Sequence, residues 1–271
     1  MALLQGKRGI IFGALDENSI AWKVALKAKE EGASFTLTNA PFALRVGKIK
    51  DLAPKLGAEL IPADVTKIED LEKLFQQSME ILGGKIDFVL HSIGMSPNVR
   101  KGKAYGDLNY EWFMQTLDIS GVSFHKVMQT AEKLDAMNEW GSIVALSYIA
   151  AQRTFSGYSD MAEAKSVLES IARSYGYRFA KLKKVRVNTV SQSPTITSAG
   201  KGIGGFDVFF EYAQKLSPLG NASAEDCANY IVTLFSDLTR MVTMQNLFHD
   251  GGFSSVGISD EVIELMNAAR K

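Results

Sequence analysis

The chain has 271 residues, 46% hydrophobic and 22% charged, enough for a sizeable core in one α/β domain or two smaller ones. Its 30 basic residues balance 30 acidic ones, which excludes a global field that would recruit nucleic acid or an anionic membrane. Cys227 is the single cysteine, so an internal disulfide is excluded; Met1–Lys7 leads straight into a strand-like run, and no run approaches the roughly 18 apolar residues of a membrane span. The expectation is a soluble, cytoplasmic protein.

Short apolar runs alternate with helical periodicity almost to the end. The strand-like runs are Gly9–Phe12, Ser34–Thr38, Glu59–Pro62, Ile86–His91, Ser142–Ser147, Val185–Val190 and Met244–Phe248. Helical stretches lie near Ile20–Glu31, Arg45–Leu56, Ile68–Leu82, Asn109–Asn138, Tyr158–Leu182 and Ala224–Leu238. Continuous apolar strands alternating with helices predict a parallel sheet covered on both faces. No linker, repeat or low-complexity tract divides the chain. The expected fold is therefore one Rossmann-type, doubly wound α/β domain with a seven-stranded parallel sheet flanked by helices.

Residues Gly13 to Ala21 join the first strand to the first helix, where a dinucleotide pyrophosphate sits in such folds. Gly13 would allow close backbone approach, and the Ser19 and Ile20 amides at the helix start would bind phosphate. Only Gly13 of the usual G-x-G-x-x-G is present, so an ordinary Asn or Ser helix cap is the competing reading. The second strand ends in Asn39-Ala40-Pro41-Phe42, with neither an acid for the adenosine ribose nor an arginine for a 2′-phosphate; Arg45 lies a turn further on. That pattern favours NADH over NADPH. Asp64-Val65 follows the third strand, where the acid either receives an adenine amino group or caps the next helix.

His91-Ser92-Ile93-Gly94 closes the fourth strand. Gly94, without a Cβ, would let the backbone pass close to a ribose; His91 reads as a hydrogen-bonded structural residue rather than a base. The three histidines and Cys227 show no metal-ligand spacing, so no metal site is indicated. The following loop, Met95–Leu108, carries Arg100, Lys101 and Lys103, and is either a plain surface loop or a dock for an acidic partner. Tyr148 would sit at the carboxyl end of the Ile143–Leu146 strand, the edge where open α/β sheets bind ligands. Tyr158 and Lys165 are seven positions apart; a helix beginning near Ser156 or Tyr158 puts both on one face. A phenol beside an ammonium can protonate or polarise an oxygen, the cation lowering the tyrosine pKa. After the sixth strand, Pro194 to Gly205 holds four glycines within six residues, followed by Phe206, Phe209 and Phe210. This 195–215 stretch reads as a flap over a bound ligand, the alternative being a long glycine-rich connection.

Together, Gly13-x5-Ser19-Ile20-Ala21, Asp64-Val65, His91-Ser92-Ile93-Gly94, Ser147-Tyr148, Tyr158-x6-Lys165, Arg186-Val187-Asn188, Pro194-Thr195-Ile196-Thr197 and Asp250-Gly251-Gly252 resemble the short-chain dehydrogenase/reductase superfamily. Within it, they resemble the bacterial NADH-dependent enoyl-[acyl-carrier-protein] reductases of type II fatty-acid synthesis. Ordinary carbonyl reductases of the superfamily carry Tyr-x3-Lys and a serine thirteen before the tyrosine; here those positions hold Ala162 and Ala145. The resemblance implies that Gly13, Ser19, Ile20, Asp64, Val65, Ser92, Ile93, Gly94, Lys165, Thr195, Ile196, Thr197, Ser198 and Ala199 contact NADH. It implies that Ser96, Tyr148 and Tyr158 face the acyl substrate, with Tyr148, Tyr158 and Lys165 as the catalytic set. The implied partners are acyl carrier protein bearing an enoyl thioester, and further copies of the chain in a homotetramer packed through Asn109–Asn138 and Tyr158–Leu182. Family members often read Ala-Gly-Pro where this chain has Gln192-Ser193-Pro194, and Gln where it has Asn39 or Ala40. A reductase of another enoyl or carbonyl substrate and a non-catalytic dinucleotide-binding protein are the rival readings.

Overall fold

Seven parallel strands form one sheet in a computed structural model that describes residues 2–198, 200 and 206–270. The strands are β1 (Arg8–Phe12), β2 (Ser34–Asn39), β3 (Leu60–Pro62), β4 (Ile86–His91), β5 (Met137–Ser147), β6 (Arg186–Gln192) and β7 (Asn246–His249). Their spatial order is β3-β2-β1-β4-β5-β6-β7, with every neighbouring pair parallel. The order reverses between β1 and β4, and that switch point opens a crevice at the carboxyl ends of the strands.

Helices α1 (Ile20–Glu30), α2 (Pro41–Val46), α3 (Ile49–Leu52), α4 (Ile68–Leu82), α5 (Pro97–Arg100), α6 (Tyr110–Leu117), α7 (Ser123–Lys133), α8 (Met161–Lys183), α9 (Phe206–Leu216), α10 (Ala224–Phe235) and α11 (Asp260–Ala268) complete the fold. One core lies between the sheet and α1 and α10, built on Phe88, Leu90, Val144, Ile231 and Phe235. The other lies beneath α4, α7 and α8, built on Ile10, Val89, Phe124, Ile143, Leu168 and Phe179. Burying each such large side chain contributes about 1.5–3 kcal/mol. Two covered faces explain why β6 is buried at every position, its polar side chains included.

Three expected helices differ in their limits. The Arg45–Leu56 helix is divided: α2 begins at Pro41, Gly47 turns extended, α3 follows, and Pro54 sits in a 3₁₀ turn over Ala53–Leu56. The Asn109–Asn138 helix is interrupted by a π turn over Asp118–Val122 and stops at α7, where Asp135 takes φ +48°. β5 therefore starts at Met137, with an irregular register against β4 before Ser142. The helix expected from Tyr158 starts at Met161, because Gly157 (φ +83°) and Ser159 (φ +49°) hold the chain in left-handed conformations that an α-helix cannot include. Within the expected flap, residues 206–215 form most of α9; Ala199 and 201–205, with the last three of the four glycines, lie outside the described residues.

Candidate active site

The carboxyl ends of β1 and β4 are locked together first. Gly13 takes φ +94°, its amide donates to the Thr38 carbonyl at 3.0 Å, and a Cβ on it would stand 1.9 Å from the Ser92 carbonyl oxygen. The close approach that Gly13 permits is thus to the protein's own β4 end. In the loop beyond, the Ser19 hydroxyl donates to the Asp16 carbonyl (2.7 Å) and accepts from the Leu15 amide (3.2 Å). The Ser19 amide also donates to the Asp16 carbonyl (3.2 Å), which closes the loop on itself. The Ile20 amide, in the first turn of α1, has no acceptor inside its helix.

At the end of β2, the Asn39 amide group donates to the Ala14 carbonyl at 3.0 Å, tying this edge to the Gly13 loop. Arg45 is exposed and lies over the Phe42 ring at 5.9 Å. The Asp64 Oδ1 accepts from the Thr66 amide (3.0 Å) and hydroxyl (2.7 Å), folding the turn into α4, whose cap is Lys67. Asp64 is therefore not the helix cap, and its Oδ2 has no bonded partner among the described residues. Val65 sends its side chain into the core, so it has only backbone to offer a ligand.

His91 is fully buried, and burial with the nearby Lys165 charge pulls it down to about 3. Because the Ser123 hydroxyl donates to the Ile119 carbonyl (2.6 Å), the 2.8 Å contact with His91 Nε2 requires the ring to donate. His91 is a neutral structural residue, as expected. Ser92, Ile93 and Gly94 leave the strand beside it. A Cβ on Gly94 would meet only the Lys165 Nζ and Met161 Cε, both at 3.8 Å, so the backbone there lies open.

Lys165 lies on the inner face of α8 and is 6% exposed. Its ammonium donates to the Leu146 carbonyl (2.8 Å) and toward that of Ile93 (3.5 Å), at the ends of β5 and β4. Burial pulls its pKa down to about 8, opposed by Glu169. Tyr158 packs with Val99, Met161, Ala164 and Leu117. Its pKa is raised by burial, which corrects the expectation that Lys165 lowers it: the phenol stays protonated and can donate a hydrogen bond. Tyr148 stands against it with ring centroids 4.9 Å apart, and burial raises that phenol also. Phe155 (5.6 Å) and Phe209 of α9 (6.3 Å) complete an apolar wall around Tyr148.

Ser96 does not face this wall. It is buried, donates to the Asp160 carboxylate at 2.6 Å, and caps α5 by accepting from the Val99 amide at 3.0 Å. Asp160 also accepts from Asn98 (2.7 Å) and Thr116 (3.0 Å), and Asn98 holds Asn109 at both its amide and its carbonyl. The Met95–Leu108 loop is therefore anchored at the head of α8. Sequence reasoning passed over Asp160 and Glu169; the available signal was two acids in or beside the buried stripe of α8, Met161, Ala164, Lys165, Leu168 and Ala172.

Past β6, Gln192 bridges His249 (2.7 Å) and the Thr195 hydroxyl (3.1 Å), and the Ser193 hydroxyl accepts from the Ala222 amide (2.9 Å). Thr195 is half-buried, while Ile196 and Ser198 are exposed; Ile196 faces α9 across a cavity of ≈ 330 Å³. Ala199 lies outside the described residues. The parts that face the crevice fit a dinucleotide: an open glycine backbone at 94, a buried ammonium beside it, an unspent carboxylate oxygen at 64 and a helix amide at 20.

A doubly wound sheet with a Tyr–Lys pair at its switch-point edge defines a nicotinamide-dependent reductase of the short-chain dehydrogenase/reductase kind. The family model for enoyl-(acyl carrier protein) reductase matches residues 13–254. The chain is 35% identical to enoyl-[acyl-carrier-protein] reductase [NADH] 1 of Rhizobium meliloti over 94% of its length and 93% of the relative's. It is 36% identical to the FabI enzyme of Rickettsia bellii, covering 94% of the chain and 96% of the relative. Its structure is similar to that of the FabI–NADH complex from Alistipes finegoldii, with a TM-score of 0.95 and 62% identity, covering 96% and 92% of the two chains. The chain belongs to the enoyl-[acyl-carrier-protein] reductase family.

Proposed function

We propose that the protein reduces a trans-2-enoyl thioester carried by acyl carrier protein to the saturated acyl thioester, using NADH. The observations that carry this reading are the packing of Tyr148 against Tyr158 and, at the same strand ends, the Lys165 ammonium bonded to the Leu146 carbonyl beside the open backbone of Gly94. NADH, when bound, supplies the hydride. Gly94, Ile93 and Lys165 border the nicotinamide ribose, the third Lys165 N–H being free for a ribose hydroxyl. Asp64 would receive the adenine amino group, and the Ile20 amide would hold the pyrophosphate. Thr195 to Ser198 would border the nicotinamide, with α9 as the described part of a cover over it.

Hydride addition at the β-carbon places negative charge on the thioester oxygen. Tyr158, kept protonated by burial, donates a hydrogen bond to that oxygen, and the preorganised donor favours the transition state over the ground state. Lys165 keeps positive charge near it. Tyr148, with Phe155 and Phe209, contacts the acyl chain and excludes water. Ser96 acts from inside, holding the entrance loop to Asp160.

Loss of NADH absorbance with a crotonyl thioester, against a panel of ketones, tests this reading. Tyr158→Phe is expected to lower turnover about a hundredfold with little change in NADH affinity; equal turnover would remove Tyr158 from the mechanism. Exposed apolar side chains on α6 (Tyr110, Met114) and α8 (Tyr177, Leu182) support assembly into a homotetramer, which sedimentation velocity checks. No helix among the described residues is long and apolar enough to cross a membrane. A cytoplasmic setting accords with a single, buried cysteine.

A further inference from the structure

We propose that Glu169 is a positioning residue for this site, the counter-charge that keeps the Lys165 ammonium protonated at the working pH. The inference rests on the reading of Lys165 as the residue that holds the cofactor ribose.

Glu169 lies one helical turn beyond Lys165 on the same inner stripe of α8 and is 4% exposed. A carboxylate in such a place is costly unless its oxygens are bonded, and both are. Oε1 accepts from the Ser147 hydroxyl at 2.6 Å and Oε2 from the Gln152 side-chain amide at 2.9 Å. A hydroxyl and an amide N–H thus each meet one of its oxygens. These donors flank the Tyr148–Ala151 segment, so the carboxylate is held in register with the strand end that Lys165 also touches.

Lys165 needs a counter-charge and makes no ion pair within 4 Å among the described residues; its bonded partners are two backbone carbonyls. The other titratable groups around it cannot serve. His91, at the end of β4, is buried and neutral. Tyr148 and Tyr158 are phenols that burial keeps protonated. Asp160, at the head of the same helix, is committed to Ser96, Asn98 and Thr116. Glu169 is the charge that opposes the burial of Lys165. Without it, a buried lysine loses its proton close to neutrality, and with it the donor to the ribose.

The test is the ionisation of Lys165 itself, read as the pH dependence of its side-chain carbon resonance in protein carrying ¹³Cε-lysine and assigned by its loss in Lys165→Met. The expected midpoint is about 8 in the unaltered chain. In Glu169→Gln it falls by about one pH unit, leaving roughly tenfold less of the charged form relative to the neutral form at a given pH. In Gln152→Lys, which keeps a donor on Oε2 and pairs the carboxylate with a surface cation, it also falls; this variant carries the test should Glu169→Gln fail to fold. An unmoved midpoint in a folded variant overturns the proposal. NADH binding by fluorescence is followed over the same range: affinity in Glu169→Gln drops only on the alkaline side, whereas loss at all pH values overturns the counter-charge role in favour of a structural one. A shifted midpoint with unchanged NADH affinity upholds the role of Glu169 and removes Lys165 from the cofactor site.

Discussion

A Cβ on Gly13 would stand 1.9 Å from the carbonyl oxygen of Ser92, so the ends of β1 and β4 can meet only where residue 13 has no side chain. Gly94, two residues beyond Ser92, has the opposite surroundings: the nearest atoms to a Cβ there are 3.8 Å away. One glycine is required by the fold, the other by what the fold leaves open. Gly13→Ala, with a left-handed φ as well as a backbone clash, is expected to destabilise the protein by more than about 2 kcal/mol. Gly94→Ala is expected to stay within about 0.5 kcal/mol of the parent in stability and to weaken NADH binding severalfold. Urea denaturation and fluorescence titration separate the two; unaltered NADH binding in Gly94→Ala would place the cofactor elsewhere.

Much of this architecture is legible in the sequence because burial on both faces leaves apolar runs within β1 and β4. Tyr148 and Lys165 are legible for the same reason, one ending a strand and the other interrupting a buried helical stripe. The start of α8 is not, since it depends on Ser159 adopting a left-handed φ that only its tertiary surroundings impose. Nor are the partners of Asp160: Ser96, Asn98 and Thr116 come from 44 to 64 residues away, and no local period records such contacts. The substrate role of Ser96 is implied by resemblance alone; its bond to the buried Asp160 carboxylate has no local sequence signal.

Burial of Lys165 sets a stability penalty with a definite sign. Its folded pKa, about 8, lies below the ordinary 10.5, so the unfolded chain binds the proton more tightly. The penalty is fully present below pH 8 and is relieved as pH rises toward 10.5. It is worth up to about 3 kcal/mol at pH 7. Lys165→Met is therefore expected to bind NADH poorly yet gain stability relative to the parent at pH 7, with the difference closing by pH 10.5. Paired urea titrations across that range check the slope; a constant difference would refute it.

Asp160 has three hydrogen-bond donors and no cation. Asp160→Ala leaves the Ser96 hydroxyl without its acceptor, while Thr116 keeps the Trp112 carbonyl and Asn98 the Asn109 carbonyl, and one unpaired buried donor costs about 1–3 kcal/mol. A loss of about 3 kcal/mol is expected, with Asp160→Asn milder. Because Asn98 also holds Asn109 and the Lys103 amide, the entrance loop loosens with it. The acyl-thioester KM is expected to rise several-fold while NADH affinity stays close to that of the parent. A rise in both constants alike would mean that Asp160 supports the whole crevice rather than its entrance.

Gln192 joins three elements: His249 on β7, its own strand β6, and Thr195 beyond it. Its side-chain amide donates to Thr195, so its carbonyl oxygen is the acceptor and His249 must present Nδ1–H. Burial lowers the His249 pKa, against the pull of Asp226 and Asp250, which keeps that donor neutral at pH 7. Stacking on Tyr230 at 5.0 Å holds the imidazole plane. Gln192→Ala frees Thr195 and leaves Nδ1–H unpaired, at a cost of about 1–2 kcal/mol. If the bridge orders the nicotinamide side of the site, that energy appears as NADH affinity reduced about 5- to 30-fold, with turnover at saturating NADH nearly retained. Gln192→Glu replaces the amide by a carboxylate facing Nδ1–H, which raises the His249 pKa and gives NADH binding an acid-side dependence that the parent lacks. Matching pH profiles for NADH binding in Gln192→Glu and the parent would show that the bridge steadies only the strand ends.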